Sequence, residues 1–255
     1  MAIKASVKKG FEVTKKSLTV IGILSVFGFV WSFINIYIAP KIQAQAAAPS
    51  VKISVLVLIG SLIFILASIF LQAGTLGYVR DKIKQGKSSL VAFTAAGFKY
   101  YLRLLAVGII ITLIAMLFIL VAALAVAFLK KPGLVIAIPA GLAAIYAVLL
   151  MFFAPYIVVV NEEKPIASIK KSAGLVKKNF LRVLGLLGIL IAIGFVIGLL
   201  AGAILGLLNI AIQGITAQVI YAVISSFLNA LLGIFVTASF MNFYLEISNT
   251  NTAGA

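Results

Sequence analysis

Six stretches of this chain, each longer than twenty residues, carry no charged side chain. They run from Ser17 to Pro40, Ile53 to Val79, Leu104 to Leu129, Pro132 to Asn161, Val183 to about Leu208, and about Val219 to Leu245. A helix of about 20 apolar residues spans the hydrocarbon core of a bilayer. Backbone exposed to lipid must satisfy its own hydrogen bonds, which a helix does and a loop does not. The chain therefore reads as an all-α integral membrane protein with six transmembrane helices, in a single domain from residue 1 to 255. The last two runs belong to one unbroken uncharged stretch. The turn between them is expected at Asn209 to Gln218, where Asn209, Gln213, Gly214 and Gln218 form its most polar cluster.

Composition agrees: 64% of the residues are hydrophobic and 10% charged, against about 45–50% and about 25% in soluble domains. Lys and Arg number 21 and Asp and Glu 5. In a soluble chain that excess would point to nucleic acid, but here its distribution gives it another meaning. Seventeen of the basic residues fall before the first run and after the second and fourth, on one side of the membrane, and four on the other. The positive-inside rule then places both termini in the cytoplasm of a plasma-membrane protein. Such a basic face attracts anionic lipid headgroups. Membrane lipids are thus the expected partner, with a membrane protein partner unidentified and no nucleic acid.

A short basic segment recurs along the chain. Residues Ala5 to Lys16 read ASVKKGFEVTKK, and at an offset of 162 Ala5, Ser6, Lys8, Lys9, Lys15 and Lys16 fall on Ala167, Ser168, Lys170, Lys171, Lys177 and Lys178. A weaker middle copy, at an offset of 79 from the last, puts Ser89 over Ser168 and Lys99 over Lys178. Each copy leads into two apolar runs. This gives three parallel pseudo-repeats, about 1–79, 80–161 and 162–247, each led by a cytoplasmic interfacial helix, and a polar tail 248–255 expected to be disordered. Parallel units differ from the inverted repeats of many secondary transporters. Tyr78, Tyr156 and Tyr244 close the three units at the expected cytoplasmic interface. The N-terminal run followed by Ala44-Gln45-Ala46 has the outline of a secretory signal, but it exceeds the 7–15 apolar residues usual there and reads as an uncleaved span.

In the first copy Val7, Phe11, Thr14 and Leu18 recur at helical spacing, with lysines paired seven residues apart on another face. The third copy shows the same pattern, with an apolar stripe of Ile166, Ile169, Ala173, Val176 and Phe180. Basic amphipathic helices of this kind lie in the headgroup layer. The candidate headgroup ligands are therefore Lys8, Lys9, Lys15, Lys16, Arg80, Lys170, Lys171, Lys177 and Lys178. The middle copy is apolar on most sides and suits a position between spans.

In the fifth run Gly194, Gly198, Gly202 and Gly206 repeat every four residues, a spacing that lets another helix approach closely. It reads as an intramolecular packing face, with a dimer seam or a groove for lipid or substrate as alternatives. Pro139 and Pro155 free backbone carbonyls in the fourth run, and Asn229 lies near the middle of the sixth. Together they outline a candidate cavity, although an interhelical hydrogen bond is the plainer role for Asn229.

Cysteine and histidine are both absent. Thiolate chemistry is excluded, and so are the commonest general base and transition-metal ligand. No charged residue lies mid-span, and no Walker A loop, serine elbow or HExxH helix occurs. The expectation is a non-enzymatic protein without cofactor or metal. It would engage anionic lipid as a scaffold or complex subunit, the alternative being a transporter or permease for a neutral or lipid-like solute.

Two segments, GYVRDKIKQGKSSLVAFTAAGFKYYLRLL from Gly77 and PYIVVVNEEKPIASIKKSAGLVKKNFLRVL from Pro155, resemble the membrane domain fused to some bacterial glycerophosphoryl diester phosphodiesterases, and related uncharacterised six-span families. The resemblance implies an integral membrane fold. In the fused enzymes the phosphodiesterase chemistry belongs to a separate soluble domain, so that activity is not expected of this sequence.

Overall fold

The structure, a computed structural model, describes residues 2–44, 51–212 and 214–252. These form α1 (Ala2–Lys15), α2 (Leu18–Ala44), α3 (Val51–Gln85), α4 (Leu90–Leu129), α5 (Leu134–Leu150), α6 (Ala154–Asn161), α7 (Pro165–Lys178), α8 (Phe180–Ala211) and α9 (Ile215–Thr252). A 3-10 turn at Lys131–Gly133 joins α4 to α5. Among the described residues there is no strand, and six helical segments are long and apolar enough to cross a membrane: α2, α3, α4, α5 with α6, α8 and α9. The protein is an all-α integral membrane protein. The break between the last two spans is narrower than the polar cluster implies, since α8 runs to Ala211 and α9 begins at Ile215, with Gly214 at φ 79°. Gln213 lies outside the described residues. Helix extends further into the tail than its composition implies, because α9 continues through Ser248 to Thr252; residues 253–255 lie outside the described residues.

Most of the core lies towards the end of the bundle where the basic segments gather. There Tyr100, Phe153, Ile157, Leu186, Ile234, Phe240, Phe243 and Tyr244 are fully buried. Further along the spans the large apolar side chains turn outward, among them Val30, Leu62, Leu117, Ile138, Leu199 and Leu207. Lipid tails are as apolar as leucine, so nothing drives those side chains inward, and the spans pack tightly only where small or polar groups make contact.

The basic segments are docked by only part of the stripes their sequences display, since Thr14 and Val176 are buried and Val7, Ile169 and Phe180 pack partly buried against the core. In α1 the buried residues are Ser6, Gly10, Val13 and Thr14, whereas Phe11 and Leu18 are 55% and 67% exposed. In α7 they are Ser168, Ser172, Leu175 and Val176, and Ile166 faces outward. These two sets are separated by the same offset of 162. At the corresponding places in α4, Phe93, Ala96 and Gly97 are buried. Small side chains allow close approach, so they face the neighbouring helix and leave the bulky apolar residues to lipid. Thus α1 lies along α9, the start of α4 along α3, and α7 along α5 and α6. A Cβ on Gly10 would overlap Ser239 Oγ, and one on Gly77 would overlap the Cβ of Ala96.

The three copies end differently, for a local reason. Ser17 Oγ donates to Val13 O at 2.6 Å and Asn179 Nδ2 donates to Leu175 O at 3.2 Å. Each side chain competes for a helix carbonyl where the chain turns. The middle copy has Tyr100 at that position, which makes no such bond, and α4 runs unbroken for 40 residues, roughly 60 Å at about 1.5 Å per residue. The middle copy is therefore the first part of a span and not a separate helix.

The fourth span is broken at Met151–Phe153, between α5 and α6, just ahead of Pro155, while Pro139 sits within α5. Proline has no N–H to donate and its ring clashes with the carbonyl four residues back, here that of Met151, so Pro155, in the first turn of α6, marks the break.

Candidate functional site

Charged side chains from α3, α4 and the end of α6 meet at the basic end of the bundle. Arg80 at the end of α3 donates from Nη1 to Tyr100 Oη at 2.8 Å and to Val159 O at 2.9 Å, and from Nε to Asp81 Oδ1 at 2.8 Å. Glu162, just after α6, accepts from Lys99 Nζ at 2.5 Å and from Tyr100 Oη at 2.8 Å. Its backbone carbonyl accepts from Arg103 Nη1 at 2.7 Å. Glu162 takes a left-handed conformation, φ 58° and ψ 27°, which few residues other than glycine adopt freely. The bonds around it account for its persistence. The Lys99 hydrogen bond, followed by that of Tyr100, holds the Glu162 carboxyl below the ordinary carboxylate range.

This hub changes the reading of Arg80. Its side chain is only 20% exposed and its donors are directed into the protein. It fastens α3 to α4 and α6 and does not present itself to lipid headgroups. The tyrosines expected at the interface also lie inside. Tyr78, Tyr156 and Tyr244 are 5%, 8% and 1% exposed, with the Tyr244 hydroxyl donating to Asn161 Oδ1 at 3.0 Å.

The remaining candidate lysines separate into two groups. Lys8, Lys15, Lys16, Lys170 and Lys177 are exposed on α1, on α7 and just after α1. Lys15 Nζ lies 4.5 Å from the Phe11 ring centre, and Lys9 forms an ion pair of 3.6 Å with Glu12. Lys171 and Lys178, also exposed, line a cavity of about 1120 Å³ between α3, α7 and α9, together with Lys84, Asn161, Asn242 and Tyr244. Lys171 also pairs with Glu163 at 2.6 Å. Of these residues the sequence singled out only Lys171, Lys178 and Tyr244. The run Arg80, Lys82, Lys84 and Lys87 was the available sign of Lys84, since alternate residues on the last turn of α3 point different ways.

The glycine ladder does not pack within the bundle. A Cβ placed on Gly194, Gly198, Gly202 or Gly206 would meet nothing within 4 Å, because α8 makes only slight contact with α9, α1 and α7. Gly202 and Gly206 border a second cavity, of about 800 Å³, with Trp31, Asn35, Gln218 and Tyr221 from α2 and α9. The cavity expected around Pro139, Pro155 and Asn229 does not form. Pro139 lines a shallow apolar crevice with Leu117 and Val121 of α4, Pro155 begins α6, and Asn229 is exposed on α9. Among the described residues no group of three or more His, Cys, Asp or Glu could hold a metal ion.

Six apolar spans with a core concentrated at one charged end define a polytopic α-helical membrane protein. The chain belongs to the DUF7847 family, a domain of unknown function that matches residues 1–247. No curated protein and no solved structure matches it.

Proposed function

We propose that this protein is a non-enzymatic, multi-pass protein of the plasma membrane, with both termini cytoplasmic, that gathers anionic lipid headgroups against its basic helices and serves as a scaffold or complex subunit. The observation that carries this reading is on α1. Lys8, Phe11 and Lys15 succeed one another at spacings of three and four residues and are all exposed, while the opposite face is buried against α9, and Leu18, exposed at the start of α2, follows the turn. Phe11 and Leu18 suit the acyl boundary and the ammonium groups the headgroup layer. On α7, Ile166, Lys170 and Lys177 repeat the arrangement. Each lysine near an anionic surface contributes about 1 kcal/mol.

Spin-labelled phosphatidylglycerol and phosphatidylcholine, compared by electron paramagnetic resonance in reconstituted membranes, test this directly. The anionic lipid should be enriched around the protein, and the enrichment should fall in high salt and in a Lys8→Gln, Lys15→Gln, Lys170→Gln, Lys177→Gln variant. Equal association of the two lipids overturns the reading. One observation favours the transport alternative, namely the uncharged cavity bordered by Asn35, Gln218 and Tyr221, which has the chemistry of a site for a neutral or lipid-like solute. Against it stands the closed aromatic core of Phe153, Phe240, Phe243 and Tyr244 at the other end of the bundle.

A further inference from the structure

We infer that the cavity between α3, α7 and α9 is a binding site for a single phosphate ester, held by Lys84, Lys171 and Lys178. The inference deepens the lipid-engaging reading and rests on it for its lipid source. The lysines of α1 do not line this cavity, so binding at one discrete site and a diffuse surface attraction are separable.

Lys171 and Lys178 are seven residues apart, which returns them to nearly the same face of α7, and Lys84 comes from the last turn of α3. Among the described residues neither Lys84 nor Lys178 takes part in an ion pair, whereas Lys9, Arg80, Lys99 and Lys171 do. Lys171 is bound to Glu163, but an ammonium group has three donors. Glu246 also lines the cavity, so the lining keeps a positive balance. Three ammonium groups carried by two helices suit an anion with several terminal oxygens pointing in different directions. That describes a phosphate better than a planar carboxylate, and lysine binds phosphate as a point charge.

The rest of the wall indicates what the phosphate is attached to. Ile83, Val160, Leu175 and Leu245 line the same cavity, and at about 1120 Å³ it is far larger than one phosphate. The cavity therefore has room for the rest of an ester, whose apolar substituents would lie along this wall with the phosphate at the lysines. Gly174 lies between Lys171 and Lys178 on α7, where an added Cβ would meet nothing within 4 Å. This leaves the floor of the site without a side chain.

The test uses the full chain in uncharged maltoside detergent, titrated with dihexanoyl phosphatidic acid and, separately, with inorganic phosphate. Saturable binding of one short-chain lipid per protein is expected. It should weaken at least tenfold in the Lys84→Gln, Lys178→Gln variant, and in Gly174→Leu, which fills the cavity without changing charge. Saturable binding of inorganic phosphate with the same dependence on these residues would support the site and assign it to a water-soluble phosphate. Absence of saturable binding by either probe, or binding that survives both variants, overturns it. Loss of the spin-label preference with saturable binding intact would remove the surface reading alone. An intact preference without saturable binding would remove this inference alone.

Discussion

The hydroxyl of Ser172 accepts a hydrogen bond from the backbone N–H of Phe153 at 3.0 Å, from α7 into the break in the fourth span. It also donates to Leu150 O at 2.8 Å, so one side chain serves a donor and an acceptor on opposite sides of the break. The bond from Phe153 is buried and that to Leu150 O partly so, and an unsatisfied backbone group in such a place is costly. The basic helix α7 thereby completes the span that precedes it in the chain.

Ser172→Ala should accordingly destabilise the protein by about 1–3 kcal/mol, the cost of leaving a buried polar group without its partner. Ser172→Thr retains the hydroxyl and should recover much of the loss if its methyl group is accommodated. Equilibrium unfolding in mixed micelles measures both. An alanine variant as stable as the parent would show that the break is satisfied in another way.

Gly10 and Ser239 form a close contact of a different kind, between α1 and α9. A Cβ on Gly10 would overlap Ser239 Oγ and come within 3.0 Å of Phe235 O, so Gly10→Ala should cost about 1–3 kcal/mol through overpacking. Because the first obstacle is a side chain, Ser239→Gly should restore part of the loss in the double variant, giving a clear coupling in a double-mutant cycle. Strictly additive changes would mean that α1 and α9 do not meet at this point.

These contacts explain which parts of the fold the sequence discloses. Six spans follow directly from the uncharged runs, because the length of an apolar helix is fixed by the bilayer. The orientation of α1 does not follow, because hydrophobic periodicity assumes that large apolar residues turn inward. In lipid they have no reason to, and the small residues Ser6 and Gly10 take the inner face. Arg80 was misread for a related reason. Its position at the end of a span is shared by interfacial arginines in general, and only the fold brings it to Tyr100 and Val159 O, twenty and seventy-nine residues away. The cavity lysines were legible one helix at a time, as Lys171 and Lys178, but their meeting with Lys84 depends on how α3 and α7 pack.

The hub around Glu162 should make stability depend on acid. Its carboxyl is held below the ordinary value of 4.5 by Lys99 and then by Tyr100. A group with a lowered pKa in the folded state contributes stability that is present above the ordinary value and is lost as pH falls through the lowered one. The parent should therefore lose stability on acidification through the carboxylate range more steeply than Glu162→Gln, which has no charge to lose there. Parallel profiles for the two proteins would show that the ion pair with Lys99, exposed as it is, contributes nothing measurable.

Gly198 and Gly77 give opposite expectations for the same substitution. Gly77 faces Ala96 so closely that a Cβ would overlap the Cβ of that alanine, and Gly77→Ala should separate α3 from α4 and lower the melting temperature. Gly198 meets nothing within 4 Å, so Gly198→Ala should be tolerated and, by relieving the low helix propensity of glycine, should stabilise an isolated monomer by up to about 1 kcal/mol. Melting curves of the two variants in detergent, with the oligomeric state followed by size-exclusion chromatography and light scattering, distinguish the contacts. If Gly198→Ala instead lowers the melting temperature and converts a dimer into a monomer, the ladder on α8 is a seam between two copies of the chain. If it lowers the melting temperature of a protein that is monomeric throughout, the ladder on α8 is a packing face within its own bundle.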